Sequence, residues 1–139
     1  MQQAIFSIFH DGGISLVSKE SNCCILKVEC QYIAELVNKD FDTFWLRVNH
    51  CTRMKFHPWA LPNDLLKSHE TIGEDVFKNE LEILSARIEN EAIVISCNKD
   101  AYGGGELILI CESVEVFDQE WKAVDVDDLI ALNNQYWKK

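Results

Sequence analysis

The stretch "TFWLRVNHCTRMKF", residues 43–56, decides the fold. Phe44, Leu46 and Val48 alternate with Trp45, Arg47 and Asn49. That period of two is the signature of a half-buried strand. The run outlasts an ordinary strand of about 5–6 residues, so a bend or bulge is expected near His50, Cys51 and Thr52.

The same alternation recurs on either side. In "CCILKVEC", residues 23–30, Cys24, Leu26, Val28 and Cys30 face one way and Cys23, Ile25, Lys27 and Glu29 the other. Residues 14–19 also alternate, Ile14 and Leu16 against Ser15, Val17 and Lys19, and "ESN" at 20–22 supplies turn chemistry, so these two runs are expected to form a hairpin. "LEILSARIE" (81–89) and "AIVISC" (92–97) flank the tight connection Asn90-Glu91. "ELILICESVEVF" (106–117) follows three glycines at 103–105, which read as a flexible loop. Its middle is apolar on both faces, as for a central strand covered on two sides.

Helical period appears in two places. In "QYIAELVNKD" (31–40), Tyr32, Ile33, Leu36 and Val37 share one face of a short helix. In "VDVDDLIALNNQYW" (124–137), Asp125 is the N-cap and Asp127 and Asp128 complement the helix dipole. Leu129, Leu132 and Tyr136 make a stripe that should pack on the sheet. Residues 4–9 are apolar but too short to assign. In residues 63–79, Asn63 or Asp64 could cap a turn of helix through Leu65 and Leu66, and a loop is the alternative. The expected architecture is a single α+β domain over residues 1–139. It has about six mostly antiparallel strands, a short internal helix and a C-terminal helix packed on the sheet.

Composition bounds the function. The chain of 139 residues carries a net charge of −10 and is 47% hydrophobic, enough for a core without staples. Residues 1–69 hold seven acidic and seven basic side chains, whereas residues 70–128 hold sixteen acidic and four basic, net −12. Such a field disfavours nucleic acid and anionic membranes and favours a basic protein. No basic, apolar leader opens the sequence, and the longest apolar run, "LILIC" at 107–111, has strand length. The six cysteines sit mostly in strand-like runs, as small hydrophobes in a reduced, cytoplasmic chain.

Catalytic and metal signatures are weak. His10, His50, His57 and His69 show no zinc-ligand spacing with each other or with cysteine, so no metal or cofactor is expected. The glycine run lacks the Gly-Lys-Ser/Thr ending of a phosphate loop. Cys51, beside His50, is the one candidate nucleophile. Asp11-Gly12 in "FHDGG" (9–13) reads as a hairpin turn, not as a catalytic pair with His10. Among the aromatics, Trp59, Tyr102, Trp121 and Trp137 lie near loops and ends, where exposed rings anchor interfaces.

"FHDGGI" (9–14) and the closing "ESVEVFDQEWKAVDVDDLIALNNQYW" (112–137) together resemble small uncharacterised bacterial proteins with an N-terminal Phe-His-Asp-Gly motif. Some of these resemble polymorphic-toxin immunity proteins. The resemblance implies a binding protein, not an enzyme, and transfers no residue roles beyond the motif.

The leading expectation is thus a non-enzymatic cytoplasmic protein-binding domain, an immunity protein neutralising a basic toxin in its concrete form. Glu112, Glu115, Asp118, Glu120 and Trp121, around the exit of the last strand, are its expected contacts. The alternative is a small-molecule-binding or enzymatic domain whose pocket joins His10, Asp11, His50 and Cys51. A third is a homo-oligomer, such as a homodimer, sealed by strand edges.

Overall fold

The computed structural model describes residues 2–58, 80–98 and 104–137. The expected helix or loop in 63–79, and Trp59, His69 and Tyr102, lie outside these residues. The elements run α1 (Gln2–Ile8), β1 (Gly13–Lys19), β2 (Cys23–Glu29), α2 (Gln31–Val37), β3 (Thr43–Asn49), β4 (Arg53–Pro58), β5 (Leu81–Glu89), β6 (Ala92–Asn98), β7 (Gly105–Ile110), β8 (Ser113–Phe117) and α3 (Val126–Trp137). The strands form one antiparallel sheet in the order β4-β7-β6-β5-β1-β2-β3-β8.

The sheet therefore has eight strands, against about six expected. Two of the expected runs are each broken in two. The run at 43–56 divides into β3 and β4 at residues 50–52, and the run at 106–117 divides into β7 and β8 at residues 111–112. His50 at the break has φ 51, a left-handed conformation that turns the chain. β3 still pairs with β8, and β4 with β7. Thr52 N–H donates to Ile110 O at 2.8 Å, and Glu112 N–H to Asn49 O at 3.0 Å, so the ladder continues through the corner. β4 and β8, the two ends of the strand order, are thereby joined to their neighbours' continuations, and the hydrogen-bonded order closes on itself. Closure removes most of the open edge that an eight-stranded sheet would otherwise present.

Directly opposed residues in an antiparallel pair share a face. Leu46 opposes Val116, Val48 opposes Val114, Met54 opposes Leu109 and Phe56 opposes Leu107. All eight side chains are buried, so the bend re-aims the strands without turning the apolar face outward. Cys24, Leu26, Val28 and Cys30 are buried too, as their alternation predicted. The second face of β7 is less covered than expected: Ile108 and Ile110 are only half-buried. Gly105 pairs with Pro58 and Cys97, which places the end of the glycine run inside the sheet. Asn90, at φ 58, and Glu91 make the two-residue hairpin between β5 and β6.

The "FHDGG" stretch is not the hairpin turn expected of it. Residues before it form a helix, so Asp11 and Gly12 join a helix to a strand and do not turn a hairpin. Ile5, Ile8 and Phe9, at i, i+3 and i+4, bury one face of α1. Gly12 N–H closes the helix onto Phe9 O at 2.9 Å, with Asp11 at φ 67. The backbone then stitches to β5, Asp11 N–H to Ile83 O at 2.6 Å and Ile83 N–H to Gly12 O at 2.8 Å. The hairpin with its turn at 20–22 is β1–β2, as expected.

Among the described residues two helices precede the last one, where one was expected. α3 starts as predicted, the Asp125 carboxylate accepting from Asp127 N–H at 2.8 Å and Asp128 N–H at 3.3 Å. Its main contacts are with α1 and α2 instead of the sheet, and Leu129 is its buried residue. Those two short helices cover the strands at this end, so the stripe meets them first.

A Cβ at Gly12 would stand 2.9 Å from Phe9 O and 3.0 Å from Glu29 O, backbone atoms that cannot swing aside. Gly12→Ala should cost about 1–3 kcal/mol in urea unfolding. Asp11→Gly, which relieves a left-handed residue, should change stability by less than about 1 kcal/mol. Equal losses at the two positions would contradict this account of the turn.

Candidate functional site

The first strand of the sheet begins beside a cavity of about 600 Å³, lined by Asp11, Gly13, Glu29, Cys30, Gln31, Tyr32, Glu35, Asp42 and Glu80. That size fits a small ligand or a long side chain. Its floor is the start of β1 and the end of β2. α2 supplies one wall, and Glu80, just ahead of β5, another.

Five carboxylates line this space, and their partners are modest. Asp11 lies 3.3 Å from His10 Nδ1. Glu35 accepts from Gln31 Nε2 at 2.8 Å, and Asp42 from Thr43 Oγ1 at 2.7 Å. Glu29 has the one lysine, Lys27 Nζ at 3.1 Å. Glu80 makes no hydrogen bond with the described residues. Its carboxyl hangs over Gly13, where any side chain would collide with it. Desolvation, and then the neighbouring Glu29 charge, push the Glu80 carboxyl above its ordinary range. The cavity thus gathers negative charge that the described residues leave largely uncompensated.

An aromatic cluster adjoins it. The Tyr32 hydroxyl donates to His10 O at 2.7 Å, tying α2 to the end of α1. Tyr136 packs on Tyr32 with ring centroids 5.0 Å apart, and Trp137 on His10 at 5.1 Å. His10 is therefore a packed ring between α2 and α3. Burial pushes the Cys30 thiol up to about 11 and raises Tyr32 as well, so both stay protonated at neutral pH.

The residues expected from sequence fall into separate places. His10 and Asp11 sit beside the cavity, at the start of β1. Cys51 shares a small void with Lys19 and Cys24, at the other end of the β1–β2 hairpin. At about 3.3 Å per residue that hairpin separates the two pairs by roughly 20 Å, so His10, Asp11, His50 and Cys51 form no common pocket. Burial raises Cys51, the reverse of an activated nucleophile.

The expected partner contacts spread along β8. Glu112 lies at the corner, 3.8 Å from His50 Nε2. Glu115 receives two hydrogen bonds from Arg47, each 3.0 Å, and one from Asn49 at 2.8 Å, which hold it below the usual carboxylate range. Asp118 is buried and shapes a turn, its carboxylate accepting from Glu120 N–H at 2.8 Å and Lys122 N–H at 3.0 Å. That turn presents Trp121, at φ 64 and 48% exposed, stacked on Trp45 at 5.1 Å. Gln119 Oε1 accepts from Asp42 N–H at 2.8 Å and from Thr43 N–H at 3.2 Å. The Trp121 turn is therefore fastened to the rim of the acidic cavity, while Glu112 stands apart from it.

Glu29, Glu35, Asp42 and Glu80 were not singled out by the sequence. Four of the five cavity acids, Asp11, Glu29, Glu35 and Asp42, come from the half whose charges sum to zero. Charge counted along the chain could not find a cluster that only folding assembles. Among the described residues, no group of His, Cys, Asp and Glu has the geometry to hold a metal ion, and no helix is long and apolar enough to cross a membrane. No protein-family model, curated protein or solved structure matches the chain.

Because Glu80 is harder to ionise folded than unfolded, its charge opposes folding above its raised pKa. The penalty disappears below the ordinary glutamate value of about 4.3. Glu80→Gln should raise Tm at neutral pH, and the difference should vanish as pH falls through that window. A lower Tm for the variant at pH 7 would show that Glu80 is structurally compensated.

Proposed function

We propose that the chain is a non-enzymatic binding domain for a basic protein, with neutralisation of a cationic toxin as its concrete form. The observation that carries this reading is the cavity at the start of β1, with five carboxylates and one paired lysine. Like charges crowded in a cleft raise the local concentration of cations and reward a lysine or arginine that enters. The adjoining Trp121 supplies the large, half-exposed ring that interface anchors require. The buried, protonated state of Cys30 and Tyr32 favours binding over chemistry at this site. A cytoplasmic location goes with the reading, because Cys24, Cys30 and Cys97 serve as buried packing groups.

The test is co-purification of the tagged chain with the products of the genes beside its own, co-expressed. A protein of net positive charge should be retained at low salt and released in about 1 M salt, where the screening length shrinks to roughly 3 Å. Glu29→Lys with Glu35→Lys should abolish retention, and the remote substitution Glu89→Lys should not. Failure of every neighbouring product to bind, or equal retention by both variants, would overturn the proposal.

A further inference from the structure

At the end of the sheet opposite the cavity, three thiols from three separate segments converge on the corner that closes the strand order. Cys24 lies on β2, Cys51 between β3 and β4, and Cys111 between β7 and β8. The backbone bond from Thr52 N–H to Ile110 O, 2.8 Å, sets the last two side by side. His50 N–H binds Asn22 O at 2.6 Å and draws the corner onto the start of β2. Cys24 and Cys51 line one void of about 50 Å³, together with Lys19 and Arg53. The Cys51 thiol now donates to Arg53 O at 3.3 Å, so the thiol must leave that carbonyl to react.

We propose that Cys24 and Cys51 are an oxidative modification site, closed to an intramolecular disulfide by a low-molecular-weight disulfide. Cys51 is the half-buried member and Cys24 the buried one, which orders the steps. Cys51, as thiolate, attacks one sulfur of oxidised glutathione; the S–S bond of the reagent breaks and the first glutathione leaves as thiolate, taking up a proton. Cys24, as thiolate, then attacks the Cys51 sulfur of the mixed disulfide and expels the second glutathione. Two protein thiols are oxidised, one reagent disulfide becomes two thiols, and no other reactant is needed. Lys19, on the wall of the same void, offsets part of the burial penalty on both thiolates. Burial raises both thiols, Cys24 up to about 11, so both exchange steps are slow at neutral pH and quicken as pH rises. The bond would tie β2 to the β3–β4 corner and lock the seam of the sheet.

The experiment treats the reduced full chain with oxidised glutathione, then alkylates, measures intact mass and maps peptides. The expected product has lost two hydrogens, leaves two of the six thiols unreactive, and yields a peptide cross-linking Cys24 to Cys51. Cys24→Ser should stop at a glutathione adduct on Cys51, and Cys51→Ser should give neither adduct nor cross-link. Six reactive thiols after treatment, or a cross-link through Cys111 in place of Cys24, would overturn the assignment. The wild-type peptide map decides this even if a serine variant fails to fold.

Discussion

The rest of the structure depends on one bend. The ladder between residues 43–58 and 105–117 is continuous in its hydrogen bonds but turns a corner at residues 50–52 and 111–112. Without the bend, a strand pair of this length would run straight past its neighbours. With it, one half pairs with β2 and the other with β6, and the strand order comes back to its start. Burial of Leu46 and Val48 before the bend and of Met54 and Phe56 after it is the driving force, since each buried large aliphatic or aromatic side chain contributes about 1.5–3 kcal/mol. The left-handed residue His50 is the local cost of turning there.

Closure divides the surface chemically. One end carries the corner, with thiols, the cations Lys19 and Arg53 and the single acid Glu20 around a small void. The other carries the cavity and its carboxylates, capped by the three helices and their aromatic cluster. Between them the side of β8 is neutralised locally, Glu115 being held by Arg47 and Asn49. Exposed ion pairs of that kind contribute little to stability. The five carboxylates of the cavity share one lysine, Lys27, which is an arrangement that folding alone does not favour. Desolvated Glu80 facing Glu29 is the clearest case.

Much of the fold was legible in local pattern. Period two located every described strand segment, and Asp125 marked the start of the last helix, because pleat and capping act between near neighbours. Three features were not legible. Residues 2–8 are too short for helix propensity to reveal them, and α1 persists because Ile5, Phe6, Ile8 and Phe9 are buried against the sheet and helices. The same packing makes Asp11-Gly12 a helix exit, although the dipeptide also suits a hairpin. The acidic site was hidden because its residues are single charges from five segments. The acidic tract after residue 70, by contrast, spends part of its charge on local structure, as with Asp118 in its turn and Asp125 at its cap.

The sequence by itself determined the antiparallel α+β class, the β1–β2 and β5–β6 hairpins and the identity of most core residues. Each follows from side-chain periodicity and turn chemistry within a few residues. Only the tertiary structure decided that two long strands break into four, that the strand order closes, and that His10 packs between rings while Cys51 lies at the far end. It also decided which acids meet. Those outcomes are set by contacts between residues tens of positions apart, where burial of the core leaves one arrangement and no local pattern specifies it.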